Sequence, residues 1–200
     1  MNFHRYILIP IFVFLILSSS VTFAKKAAIV IDFDTKEVLF EVNANTKNYP
    51  ASLTKIMTLY ILFDQIEKGL LTYKTKLKVS KNASSRSPSK LYLEAGSYIK
   101  VEDAIMALII KSANDVATVV AENISGTEKD FAKLMTKYAR SLGMANTTFK
   151  NASRLPNRAQ LTTARDISIL SHALISNFPE EYKLFSKQNF TYNGQDLQNT

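Results

Sequence analysis

The chain has 200 residues, of which 46% are hydrophobic, and carries a formal net charge of +8 from 25 basic and 17 acidic side chains. It has no cysteine, which rules out disulfide stapling and leaves core packing to supply stability. The positive surplus is spread along the chain rather than gathered in one block, as on a solvated surface or one that docks on an anionic wall or lipid headgroups. No nucleic-acid-binding motif accompanies it, so nucleic acid is not an expected partner.

Residues 1–24 read as a secretory signal. His4 and Arg5 flank an apolar stretch from Tyr6 to Leu17, and Ser18-Ser19-Ser20 and Thr22-Phe23-Ala24 supply small residues for cleavage, so the mature chain is expected to begin at Lys25. The apolar stretch is about a dozen residues, short of the ~20 that span a bilayer, which weighs against an uncleaved anchor. The expected location is outside the cytoplasm, in the periplasm or on the outer face of the cytoplasmic membrane. Residues 25–200 contain no repeat and no low-complexity linker and are read as one unit.

Ala27 to Asp32 and Val38 to Asn43 are β-rich runs around Asp34-Thr35-Lys36, a hairpin pattern. After Tyr49-Pro50-Ala51, the residues Leu53, Ile56, Met57, Tyr60, Phe63 and Ile66 recur at helical steps until Gly69, which predicts a buried helix from Leu53 to Lys68 with Ser52 at its N-terminus. Ser80 to Gly96 is polar and irregular, a surface loop with short strand pieces anchored by Leu91, Tyr92 and Leu93. Val101 to Ile110 and Asp115 to Ile124 read as two helices, the first with Glu102 and Asp103 in its opening turn. Glu128 to Leu142 is a third, closed by Gly143. Thr163 and Asp166 resemble a capping box opening a helix to about Asn177, and Phe190 to Asn193 starts a strand.

Two motifs on this frame point to chemistry. Ser52-Leu53-Thr54-Lys55 places a hydroxyl and an amine one helical turn apart, roughly 5–6 Å between Cβ atoms. A serine hydroxyl needs a base to become a nucleophile, and a lysine serves only when burial or nearby positive charge lowers its pKa. The positive end of the helix dipole favours both changes. Ser112-Ala113-Asn114 lies in the tight connection between two helices, where a hydroxyl can relay protons and an amide can bind a substrate amide. Spacing alone does not choose these residues, because Ser87 to Lys90, Ser97 to Lys100 and Ser80 to Asn82 repeat it. Those matches lie in turn-rich sequence with no predicted helix. An ordinary helix-surface pair and a capping turn would explain either motif alone; their order and settings together favour the catalytic reading.

With these residues in view, the chain resembles the D-alanyl-D-alanine carboxypeptidases among the low-molecular-mass penicillin-binding proteins. The likeness runs from about Ala27 to Thr200, through Tyr49 to Thr58, Lys111-Ser112-Ala113-Asn114-Asp115, Phe131 to Met135, Leu142-Gly143-Met144 and Thr162-Thr163-Ala164-Arg165-Asp166. Ser-x-x-Lys, Ser-x-Asn and Lys-Thr-Gly form the known signature of penicillin-binding proteins and serine β-lactamases. The resemblance implies an α+β fold of the β-lactamase/transpeptidase type, a helical subdomain plus an antiparallel sheet. It implies Ser52 as acyl-forming nucleophile, Lys55 as its base, Ser112 as proton relay to the leaving group and Asn114 as a substrate and Lys55 contact. The implied reaction removes the terminal D-alanine of peptidoglycan stem peptides through an acyl-enzyme, with β-lactams as covalent inhibitors and no metal or organic cofactor.

The chain departs from the family pattern in two places. Arg154 stands where the family has glycine, so a strained turn is expected there. No Lys-Thr-Gly occurs in the 200 residues, since Lys74-Thr75 is followed by Lys76. Residues 25–200 are therefore expected to be the N-terminal portion of a catalytic domain, with the C-terminal strands of its sheet, the second oxyanion donor and any membrane-binding tail missing from this chain. Two other readings remain: a non-catalytic, exported, wall-associated remnant, and a serine β-lactamase. The latter needs a deacylating carboxylate in a Glu-x-x-Leu-Asn setting, which Glu181 to Leu184 followed by Phe185 only partly matches.

Overall fold

The structure is a computed structural model that describes residues 26–199. The signal-like segment 1–24 lies outside the described residues. β1 (Ala28–Ile31) and β2 (Val38–Val42) pair antiparallel, with Ala28 opposite Val42 and Val30 opposite Phe40. Their turn is organised by Asp32, whose Oδ1 accepts from the Asp34 and Thr35 N–H groups and from the Thr35 hydroxyl. The hairpin forms where the alternation places it. Among the described residues it is a two-stranded sheet, and Val38, Leu39, Phe40 and Val42 of β2 stay exposed.

α1 (Thr54–Glu67) runs through the middle of the molecule, and every residue from Met57 to Phe63 is buried. Helices packed around it account for this. α4 (Asn114–Ser125), α5 (Glu128–Ser141) and α6 (Ala164–Asn177) surround it, and Phe63, Met57, Phe131, Met135 and Phe149 belong to one continuous core. Thr127 opens α5 by accepting the Asp130 N–H at 3.0 Å, the N-cap interaction that satisfies one orphan donor. Thr163 does the same for α6 with the Asp166 N–H at 3.0 Å. The reciprocal half of the expected capping box is replaced: the Asp166 carboxylate accepts from the Asn146 N–H at 2.8 Å and the Thr147 hydroxyl at 2.6 Å. A shorter Asp in place of Glu thus binds the preceding loop to the helix.

The stretch from Ser80 to Gly96 differs from the expectation of loop and strand pieces. It is bracketed by β3 (Lys76–Lys78) and β4 (Tyr98–Lys100), which pair antiparallel, and it contains a short helix, α2 (Lys81–Ser84). Ser80 caps that helix through the Ala83 N–H at 2.9 Å, so the second Ser-x-Asn match is a structural cap. Leu93 is buried, but Tyr92 is 76% exposed and anchors nothing. The anchor is Asp115, whose carboxylate accepts from the N–H groups of Leu91 and Leu93 at 3.0 and 3.2 Å.

α3 (Val101–Met106) ends earlier than its apolar pattern suggests and passes into a π-helical turn, Ala107–Lys111. Periodicity cannot separate the two because both bury the same residues. Beyond α6, a short α7 (Pro179–Tyr182) and a 3-10 turn lead to β5 (Asn189–Tyr192), which pairs with β6 (Gln195–Gln198). Asn193 and Gly194 both take positive φ, 49° and 76°, as a tight two-residue hairpin turn needs. The sequence pattern showed only the first of these two strands.

Candidate active site

Ser52 lies in a 3-10 turn, Ala51–Leu53, that feeds directly into α1, two residues before α geometry begins at Thr54. Ala51 has φ 48°, a left-handed conformation that costs a non-glycine residue about 1–2 kcal/mol. Ser112 is in the same region at φ 51°, ψ 42°, where it turns the chain from the π-helical segment toward α4. Backbone strain of this kind persists where surrounding structure holds it and gathers at functional sites, and π-helical turns are frequent at such sites. Here it falls on Ser112 itself and on Ala51, the residue before Ser52.

The fold joins two of the four singled-out residues, Lys55 and Asn114, by a direct hydrogen bond. Lys55, 3% exposed, donates from Nζ to Asn114 Oδ1 at 2.8 Å. Asn114 is buried and is fixed at both ends, since its Nδ2 donates to the Pro88 carbonyl and its backbone N–H donates to the Ser89 carbonyl at 2.8 Å. Among the described residues no carboxylate hydrogen-bonds to Lys55. Burial first, and then the positive charge of Arg154, lowers its pKa to about 7. An unpaired buried ammonium is unfavourable, so the neutral amine is accessible near physiological pH. Ser52, which precedes Lys55 by one helical turn, is half-buried. Its Oγ is 3.5 Å from Arg154 Nη1.

Ser112 Oγ is buried and has no hydrogen-bond partner among the described residues. A buried hydroxyl without a partner is costly unless another group or a substrate completes it.

Arg154 corrects one expectation. Position 154 is not among the residues with positive φ, so arginine there does not strain the turn. The loop that carries it is tied from several sides: the Thr58 hydroxyl donates to the Ala152 carbonyl at 2.8 Å, and Gln160 Oε1 accepts from the N–H groups of Lys150 and Asn151 at 2.8 and 3.0 Å. Gln160 Nε2 reaches Thr54 Oγ1 at 3.2 Å, linking this loop to the first turn of α1. The contacts of Thr58 and Thr54 join this loop to a segment distant in sequence, and no local sequence signal marks them. Glu181, the candidate deacylating carboxylate, accepts a hydrogen bond from the Tyr73 hydroxyl at 2.8 Å and makes no hydrogen bond to either motif among the described residues.

The family model described as D-alanyl-D-alanine carboxypeptidase matches residues 17–200. D-alanyl-D-alanine carboxypeptidase DacF of Bacillus subtilis (strain 168) is 34% identical over 183 residues, which cover 92% of this chain and 46% of that protein. The crystal structure of the D-alanyl-D-alanine carboxypeptidase DacD from Francisella tularensis aligns with a TM-score of 0.82 at 38% identity, over 86% of this chain and 42% of that one. Penicillin-Binding Protein D2 from Listeria monocytogenes, in its ampicillin-bound form, aligns with a TM-score of 0.76 at 32% identity, over 86% of this chain and 71% of that one. The chain thus spans about half the length of the curated relatives it matches. The α+β fold is the β-lactamase/transpeptidase type expected of penicillin-binding proteins. On sequence and fold together, the chain belongs to the D-alanyl-D-alanine carboxypeptidase family of low-molecular-mass penicillin-binding proteins.

Proposed function

We propose that this protein acts as a serine-type D-Ala-D-Ala carboxypeptidase on peptidoglycan stem peptides. The observation that carries this reading is the buried Lys55 amine, held by Asn114, drawn down to about 7 and placed one helical turn from Ser52. That is the arrangement a serine nucleophile needs.

Neutral Lys55 takes the Ser52 proton as Oγ attacks the carbonyl of the penultimate D-alanine, forming a C–O bond and a tetrahedral oxyanion. Collapse breaks the C–N bond. The proton held on Lys55 passes through the Ser112 hydroxyl to the leaving amine, and the terminal D-alanine departs. Asn114 keeps Lys55 oriented and meets the substrate amide. In the second half, Lys55 deprotonates a water that attacks the acyl-Ser52 ester, which releases the shortened peptide and restores the serine proton. The Ser52 N–H supplies one oxyanion contact; removing a single such donor typically costs on the order of 10²–10³ in rate. A β-lactam ring would be opened by the same attack. The composition of residues 1–24 supports an exported protein working on the wall-facing side of the cytoplasmic membrane.

Release of D-alanine from a D-Ala-D-Ala peptide separates this reading from that of a wall-associated protein without catalysis, which binds and releases nothing. The pH dependence adds a directional test. Because the Lys55 pKa is lowered, its neutral form is present above about 7 and lost below it, so acylation by penicillin rises with pH through a midpoint near 7 and then levels. Arg154→Gly removes one of the two causes of the lowering and moves that midpoint upward. A profile flat from pH 5 to 9 contradicts the assignment of Lys55 as base.

A further inference from the structure

Beside Ser52 a cleft of about 500 Å³ opens between residues 49–51 and the loop 154–158, with Gln160 also in its lining. Its lining includes two arginines, Arg154 and Arg158, and no acidic residue. Both arginines are exposed, and neither is in an ion pair among the described residues, whereas Arg86 and Arg165 are paired with Glu128 and Glu41. The Gln160 amide is committed to the loop itself, through Lys150, Asn151 and Thr54. Two unpaired guanidinium groups therefore face a cleft whose other walls are Tyr49, Pro50 and Leu155. The loop that presents them is anchored by buried bonds from Thr58 and Gln160, so the positive charge is held in place rather than carried on a free tail.

Lys55, Asn114 and Ser112 contribute nothing to the lining of this cleft. If the leaving amine takes its proton through Ser112, it stays on the Lys55 and Ser112 side of Ser52. The opposite flank then holds the part of the substrate that remains on the serine. We infer that Arg154 and Arg158 form a carboxylate-binding subsite for the acyl-donor portion of the substrate, selecting peptides that carry a free acidic group upstream of the scissile D-alanine. This assignment to the acyl side rests on the carboxypeptidase reading. Guanidinium groups suit the role because their planar N–H donors match a carboxylate in two-pronged geometry. Arg154 contributes on two fronts, since its charge also bears on Lys55.

The test uses calorimetric binding to the full-length protein carrying Ser52→Ala, which holds peptides without turning them over. The ligands are a pair of acyl-D-Ala-D-Ala peptides that differ only in whether the upstream side-chain carboxylate is free or amidated. The free acid is expected to bind at least about tenfold more tightly, the scale of one charge-assisted hydrogen bond, with the advantage shrinking as salt is raised. Adding Arg154→Gly and Arg158→Gln together should bring the two affinities within about twofold while the amidated peptide still binds. Equal affinities for acid and amide in the Ser52→Ala protein, or a preference that survives the double arginine replacement, overturns the subsite. A wild-type protein that shows the carboxylate preference but releases no D-alanine leaves the subsite standing and overturns the catalytic reading instead.

Discussion

Ser52→Ala protein is expected to lose D-alanine release and penicillin labelling together. In the proposed mechanism the Ser52 oxygen forms the acyl bond, Ser112 Oγ belongs to a different element, and the Thr54 hydroxyl accepts from Gln160. Loss of the nucleophile in a serine hydrolase costs on the order of 10⁶ in turnover, because the remaining groups act through it. Alanine fits the half-buried site without a clash, so thermal unfolding should shift little while activity vanishes. Time-resolved labelling with a fluorescent penicillin is the measurement. Residual labelling at more than about a thousandth of the wild-type rate would mean that a second nucleophile operates, contrary to the all-through-Ser52 scheme.

Lys55→Arg should slow acylation by at least ~10², the low end for loss of a general base. The substitution keeps the positive charge but removes the accessible neutral form, because guanidinium does not deprotonate in proteins. It also puts a bulkier cation beside Asn114, whose amide is already fixed by the Pro88 carbonyl. A purely structural role for Lys55 in holding Asn114 predicts a different result: arginine, which can still donate to Asn114, would leave both the acylation rate and the pH profile close to those of the wild type. Stopped-flow acylation across pH separates the two. The catalytic role requires the rise near pH 7 to disappear in Lys55→Arg, and a wild-type rate in that variant would refute it.

The two motifs were legible because each depends on chain-local geometry. A serine and a lysine three residues apart on a helix must share a face, and a Ser-x-Asn between two apolar helices must sit at their junction. The Lys55 to Asn114 hydrogen bond joins residues far apart in sequence, and only the resemblance to a known family supplied it in advance. The helices α1, α5 and α6 follow their apolar spacing and caps. The π-helical turn before Ser112 and the strained φ of Ala51 and Ser112 do not, since these conformations are imposed by tertiary contacts on residues with no preference for them. Arg154 shows the limit most clearly. As an arginine in a glycine's place it suggested a strained turn, yet its backbone is ordinary and its guanidinium lies against Ser52 from 102 positions away. Asp115 was likewise hidden: nothing local marks it as the acceptor that fixes Leu91 and Leu93.

The most direct test of the central claim is peptide mass mapping of the full-length protein after reaction with penicillin at neutral pH. The adduct is expected on Ser52 alone, in the peptide that also contains Thr54 and Lys55. Ser87 and Ser97 satisfy the same four-residue spacing toward Lys90 and Lys100, but neither lies in a helix or beside a buried lysine. An adduct mapped to either of them, or no covalent adduct at all, would contradict a Lys55-activated Ser52 nucleophile.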